Sequence, residues 1–145
     1  MSIATLLKAL ADILEESTGA VVSIGPPSEA SSGMFIWPWK VTESAIHRNV
    51  QPGAVSPEME MGLGQESVPS DLHFLIVAHP AFTEEGLSLL EAVIRHISSA
   101  PLVATEAGDA RLVIETLPDQ TLASLFQSAG LPVTACVCAK TTIIR

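Results

Sequence analysis

The segment that most constrains the fold of this chain runs from Asp71 to His79, because its inner residues 74–78 are all apolar. A short apolar run without alternation is typical of a strand inside a sheet, where both faces are covered. The sequence therefore predicts a β-sheet in which this segment is a central strand.

Three amphipathic segments predict helices. The first is capped by Ser2 and stopped by Gly19, and its apolar residues recur at the spacing of one buried stripe. The second begins at Thr83, and two acidic residues lie in its first turn, where the helix dipole favours them. The third spans residues 118–129 and ends at Gly130, and Pro132 prevents its continuation.

Four further segments predict strands: 21–24, 34–41, 111–117 and 133–144. Pro38 has no N–H to donate to a ladder, so the strand that contains it lies at an edge or carries a bulge. The order is α, β, β, long loop, β, α, β, α, β. This order predicts an α/β (α+β) fold in a single domain over residues 1–145, with a mixed sheet of about five strands packed by three helices.

The predicted long loop spans residues 44–70 and is rich in Gly and Pro. Loops of this length inside a domain are usually functional or disordered. Met59, Met61 and Leu63 alternate within it and could form a short hairpin arm.

The chain is more apolar than is usual for a free-standing monomer, with 48% hydrophobic and 16% charged residues. No run approaches the roughly 18 apolar residues that a membrane helix needs, so direct membrane insertion is not expected. The surplus is explained either by subunit contacts, as in obligate oligomers, or by an Ala/Val-rich core. The N-terminus has no charged region followed by an apolar run, so the sequence does not predict a signal peptide.

The net charge of −9, with only seven scattered Lys and Arg residues, disfavours nucleic acid and anionic membranes as partners. The two cysteines, Cys136 and Cys138, fit a reduced cytosolic protein, and a disulfide between them would be strained.

The residues that could carry chemistry lack the spacing that chemistry requires. His73 and His79 are six residues apart, which places them about 20 Å from each other on a regular strand. Cys136 and Cys138 provide two of the roughly four ligands that a zinc site needs, and no complementary pair exists. The glycines at 62 and 64 are followed by neither a Lys nor a helix start, so they predict no phosphate site. The sequence predicts no catalytic residue, no cofactor and no metal.

Trp37 and Trp39 alternate with Pro38, so both rings face the same side of a regular strand. Such a pair can form a binding platform for a sugar or a protein partner. It can equally belong to the core, which is the commoner place for two aromatic residues on one sheet face. Both interpretations stay open.

Three stretches of the sequence resemble a known family. The first runs from Leu6 to the Gly25-Pro26-Pro27 turn, and the second comprises Trp39 to Ser44 followed by His47-Arg48-Asn49. The third comprises Asp71 to Leu75 with the helix 83–100, and then Leu125-Phe126 through Gly130-Leu131-Pro132. In this order they resemble the tail-terminator, or sheath-cap, proteins of contractile injection systems, which are phage-tail-like particles. The part of the loop at 50–70 is longer than that family leads us to expect. Since the sequence ends at Arg145, we do not expect the C-terminal extension that some members carry.

The resemblance implies a structural protein that forms a six-fold ring, assembles in the cytoplasm, and closes the distal end of the tube and sheath. Its implied partners are other copies of the chain and the tube and sheath subunits. The last strand could extend a sheet of a neighbouring subunit, or it could be an ordinary strand covered within the chain. The residues predicted to form interfaces are Trp37, Trp39, Met59, Met61, Ile143, Ile144 and Arg145.

Two other hypotheses compete with the terminator. One is a small ligand-binding or regulatory module that uses the Trp37/Trp39 face. The other is an enzyme that acts through Cys136 or Cys138, although nothing local predicts an activated thiol.

Overall fold

A computed structural model describes residues 2–27, 32–43, 69–80, 83–105 and 108–144. Its helices are α1 (Ile3–Thr18), α2 (Glu84–Ser99) and α3 (Asp119–Ser128). Its strands are β1 (Val22–Ile24), β2 (Gly33–Glu43), β3 (Pro69–His79), β4 (Leu102–Thr105), β5 (Gly108–Ile114) and β6 (Cys136–Ile144).

The six strands form one sheet in the order β1-β2-β3-β6-β5-β4. β1 pairs with β2 in parallel and every other neighbouring pair is antiparallel, so the predicted mixed sheet is confirmed. The prediction that residues 71–79 form a central strand is also confirmed, because β3 lies between β2 and β6 and pairs with both along most of its length.

The predicted number of strands, about five, is one too low, because β4 was not predicted. Residues 102–105 form a hairpin with β5, in which Thr105 is paired with Gly108. The alternation in this segment is short and weak, since only Val103 among its residues is buried. β5 therefore runs over 108–114 rather than 111–117, and β6 begins at Cys136 rather than at residue 133.

The larger core lies on the face of the sheet that α1 and α2 cover. Alternate residues of β3 point to this face and meet the buried stripe of α1, as the period of two in a strand requires. The stripe predicted for α1 is confirmed, and its buried members are Leu6, Leu7, Leu10, Ala11 and Leu14.

The smaller core lies on the opposite face, beneath α3. Leu75 and Val77, the β3 residues that point away from α1, pack there with Phe126 of α3. Because both faces of β3 are covered, its middle residues have no solvent-facing position. This double burial is the physical reason for the unbroken apolar run at 74–78.

The helix ends follow the predicted signals. The hydroxyls of Ser2 and Thr83 accept hydrogen bonds from the backbone N–H groups of Thr5 (3.1 Å) and Gly86 (3.0 Å). After α3, Gly130 adopts a left-handed conformation with φ of 71°. The N–H of Leu131 then donates to the carbonyl oxygen of Phe126, which closes a Schellman motif and returns Leu131 to the smaller core.

Gly86, in the first turn of α2, is held against the chain that precedes the helix. A Cβ atom at this position would lie 2.6 Å from the carbonyl oxygen of Pro80 and 3.1 Å from the hydroxyl of Thr83. The residue is also buried, so there is no room for a side chain without a shift of backbone.

We expect Gly86→Ala to lower the free energy of unfolding by about 1–3 kcal/mol, the usual cost of overpacking. This sign is opposite to that of an ordinary helix interior, where Ala is favoured over Gly by about 1 kcal/mol. Urea denaturation provides the measurement, and Ser88→Ala, at an exposed position of the same helix, is the matched control. Stabilisation by Gly86→Ala would contradict the close contact.

Candidate assembly surface

Three strands of the sheet run on past their neighbours at one end. β1 stops opposite Ile36, whereas β2 continues to Glu43 and stays paired with β3. The ladder between β5 and β6 ends at Leu112 and Thr141, whereas β6 continues to Ile144 beside β3. We call this region the three-stranded end: residues 40–43, 69–73 and 140–144. Among the described residues, no strand pairs with the outer edge of β2 beyond Ile36 or with the outer edge of β6 beyond Thr141.

A bulge marks the point where β2 enters the three-stranded end. The register between β2 and β3 shifts between Pro38 and Lys40, which confirms the prediction that Pro38 marks an edge or a bulge. Toward β1, the N–H of Met34 donates to Val21 and the carbonyl of Ile36 accepts from Gly25. Because alternate residues of a strand direct their backbone groups to the same side, Pro38 also faces this edge. The edge therefore lacks one donor immediately beyond the end of β1.

Trp37 belongs to the core beneath α3. Its ring meets the ring of Phe126 edge-on, with centroids 5.4 Å apart, and only 8% of the residue is exposed. The interpretation of Trp37 as a core residue is therefore the one that the structure favours. A binding platform made of both tryptophans is not favoured, because Trp37 has little accessible surface to offer.

Trp39 lies at the bulge and is partly buried against the smaller core. Its ring is 5.6 Å from the His73 ring, and the ammonium group of Lys40 lies 5.8 Å from its centroid. The indole Nε1 of Trp39 is buried, and no hydrogen-bond partner for it occurs in the part of the chain that the structure describes. Trp39 thus connects the core to the charged groups of the three-stranded end.

A hydrogen bond between the His73 and Glu115 side chains lies beside Trp39. The Nδ1 atom of His73 is 2.8 Å from Oε1 of Glu115, and the side chains are 15% and 17% exposed. Because a carboxylate only accepts, the bond places a proton on Nδ1. The other ring nitrogen, Nε2, is 3.4 Å from the hydroxyl of Thr42. This pair was not predicted, since its partners are 42 positions apart and meet only through the order of the strands in the sheet.

The two thiols of β6 point to the same face of the sheet, as the sequence predicted, and both are free. The hydrogen bond that the Cys136 thiol donates to Cys138, together with burial, raises the pKa of Cys136. The same hydrogen bond lowers the pKa of Cys138, while burial and the nearby Glu115 act in the opposite direction. In the described part of the chain, no group of three or more His, Cys, Asp or Glu residues is arranged to hold a metal ion.

The remaining residues predicted at interfaces fall in two places. Ile143 and Ile144 are the last residues of β6, where their backbones pair with Ser70 and Pro69 of β3. Met59, Met61 and Arg145 lie outside the described residues, as does the rest of the predicted hairpin arm. The interface role of the whole set stays a prediction. None of the described helices has the length and apolarity needed to cross a membrane.

Comparison with solved structures identifies the class of protein that shares this fold. One similar structure is the sheath/tube terminator of an extracellular contractile injection system, called PVC, in its extended state. It superposes with a TM-score of 0.68 at 12% sequence identity, over 99% of this chain and 56% of that chain. Another is the tube-terminating cap of the anti-feeding prophage, with a TM-score of 0.70 at 12% identity, over 99% of this chain and 55% of that one.

These likenesses confirm the predicted fold. This chain spans little more than half the length of either terminator chain. No family model matches the sequence, and no curated protein matches it. The fold of a tube or sheath terminator is therefore present in a chain whose sequence has diverged far from both of these structures.

A double-mutant cycle on His73 and Glu115 tests whether this hydrogen bond stabilises the three-stranded end. We expect His73→Ala and Glu115→Ala to be coupled by about 1 kcal/mol in the free energy of unfolding, because each leaves a largely buried partner unpaired. The control is the exposed pair of Glu91 and Arg95 on α2, for which we expect about 0.3–0.5 kcal/mol. A coupling no larger than this control would show that the pair contributes nothing to the sheet.

Proposed function

We propose that this protein is a structural terminator, which forms a hexameric ring and closes the distal end of the tube and sheath of a contractile injection system. The observation that carries the proposal is the match of 99% of the chain to two terminator or cap structures. Such a protein works by binding and by blocking further addition of subunits, so its fold needs surfaces rather than a catalytic centre.

Exposed apolar side chains support the proposal. Nine large hydrophobic residues in the described part of the chain are exposed, among them Val21 (70%) and Ile24 (50%) at the β1 edge and Leu102 (55%) at the β4 edge. Leu87 and Ile94 lie two turns apart on the outer side of α2. Single exposed apolar residues are ordinary, but apolar residues at both edges of one sheet suit a subunit with a neighbour on each side.

The partners follow from this role. They are other copies of the chain within the ring, and the tube and sheath subunits of the same particle. The protein assembles in the cytoplasm as part of a phage-tail-like particle. Interface roles are proposed for the two tryptophans, for Met59 and Met61, and for the C-terminal residues 143–145. Trp37 would contribute indirectly, by fixing the bulge that carries Trp39.

A tube-capping assay tests the function directly. Tubes are grown from a purified tube subunit of a contractile injection system, with and without the purified protein. We expect substoichiometric protein to stop elongation, and electron microscopy to reveal one six-fold ring at one end of each tube. Heat-denatured protein serves as the control. Continued elongation at a molar excess, with bare tube ends, would contradict the proposal.

A further inference from the structure

Two lysines on the three-stranded end lie in one row across adjacent strands. Lys40 of β2 and Lys140 of β6 are each paired in register with His73 of β3. Side chains of residues in register share a face, which here is the face that carries α3. The two lysines are separated by two strand spacings, or roughly 10 Å. They account for two of the seven Lys and Arg residues in a chain with a net charge of −9.

The carboxylates on the same face are already engaged. Glu115 pairs with His73, and Asp71 accepts a hydrogen bond of 2.7 Å from the hydroxyl of Thr142. Neither Lys40 nor Lys140 forms an ion pair with any of the described residues. The ammonium group of Lys40 lies 5.8 Å from the centroid of the Trp39 ring. Asp71 and Glu115 share this face, but neither forms an ion pair with Lys40 or Lys140.

The complementary charges lie on α1, on the other face of the sheet. Asp12 and Glu16 are both exposed and lie four positions apart, so they share one side of the helix, about 6 Å from each other. Like charges at this spacing repel, although Lys8 lies four positions before Asp12 on the same side of the helix. Glu16 also lies in the last turn of α1, where the helix dipole disfavours a carboxylate. No basic residue lies in the last turn of α1, and neither carboxylate pairs with a cation among the described residues.

Glu15, the other acidic residue near this end of the helix, has a local role that explains it. Its Oε1 atom accepts a hydrogen bond of 3.0 Å from the N–H of Val22. Asp12 and Glu16 have no such role. Asp12 and Glu16 are thus exposed carboxylates without an ion-pair partner among the described residues, and both are accessible to a positively charged surface of another copy.

We propose that the Asp12/Glu16 pair of one copy docks on the Lys40/Lys140 row of the next copy. The two surfaces cannot meet within one chain, because the sheet separates them. A contact between different surfaces of identical subunits is heterologous, and it closes into a ring when the rotation permits. The inference rests on the proposed ring and gives it a specific contact. In this contact the two lysine ammonium groups of one copy lie beside the two carboxylates on α1 of the next.

Complementary charge reversal tests this contact. One variant carries K40E and K140E, and the other carries D12K and E16K. Each variant alone brings like charges together, so we expect sedimentation velocity to show its dissociation constant for self-association raised by about tenfold or more relative to the unmodified protein. In an equimolar mixture the two variants can alternate, which places opposite charges at every contact. The two reversed surfaces meet at one contact, and the two unmodified surfaces meet at the next. We therefore expect the mixture to recover the assembly of the unmodified protein.

The controls separate charge from folding. Arg95→Glu reverses an exposed positive charge on α2 that belongs to neither proposed surface, and it should weaken association less than either double variant. Thermal unfolding of each variant shows whether it folds. The milder K40Q/K140Q variant provides a second measurement, and we expect its self-association to be weakened by a smaller factor. Raising the salt concentration should weaken the unmodified assembly, as screening shortens the range of the attraction.

The outcomes distinguish this contact from the proposed function. Variants that associate like the unmodified protein, or folded variants whose mixture is no better than either alone, overturn the contact. So does an unmodified protein that stays monomeric, or a Lys40/Lys140 row that proves to bind only tube or sheath subunits. If the charge dependence appears but the protein fails to cap tubes, the contact stands and the terminator function falls.

Discussion

The burial of β3 on both faces is the constraint on which the rest of the structure depends. A strand with apolar residues at successive positions must be covered on each side, and this chain uses α1 and α2 on one side and α3 on the other. The two cores differ in size, so the side beneath α3 is only partly covered. The charged groups of the three-stranded end lie on that side, beyond the reach of the short helix.

The helices and strands can be predicted from the sequence better than the contacts between them. Helix ends could be predicted because Ser2, Thr83 and Gly130 act within a few residues of their own positions. The hairpin of β4 could not, since its stability comes from pairing with β5 and little from burial. The contacts of the candidate surface were harder still to predict from the sequence. The pairing of His73 with Glu115, and the row that joins Lys40 to Lys140, exist only once the strand order places β6 between β3 and β5.

The fold supports a function that resides in surfaces. Trp37, a candidate for ligand binding by sequence alone, packs against Phe126 of α3, while Trp39, at the bulge, contacts Lys40 and His73. Trp39 is the extra residue of the bulge in β2, and it is only partly buried against the core that contains Trp37. The same bulge brings Lys40 into register with His73, so the placement of the positive row depends on it.

If the protein is a ring subunit as proposed, Pro38 also affects how it behaves before it assembles. An exposed strand edge is a template on which any extended chain can pair, and a protein that waits for its particle would be at risk of forming fibres. The missing N–H at Pro38, next to the Gly25-Pro26-Pro27 turn that ends β1, interrupts that template where β1 no longer protects it. In the proposed ring subunit, this interruption permits an open edge with less risk of pairing with other extended chains before assembly.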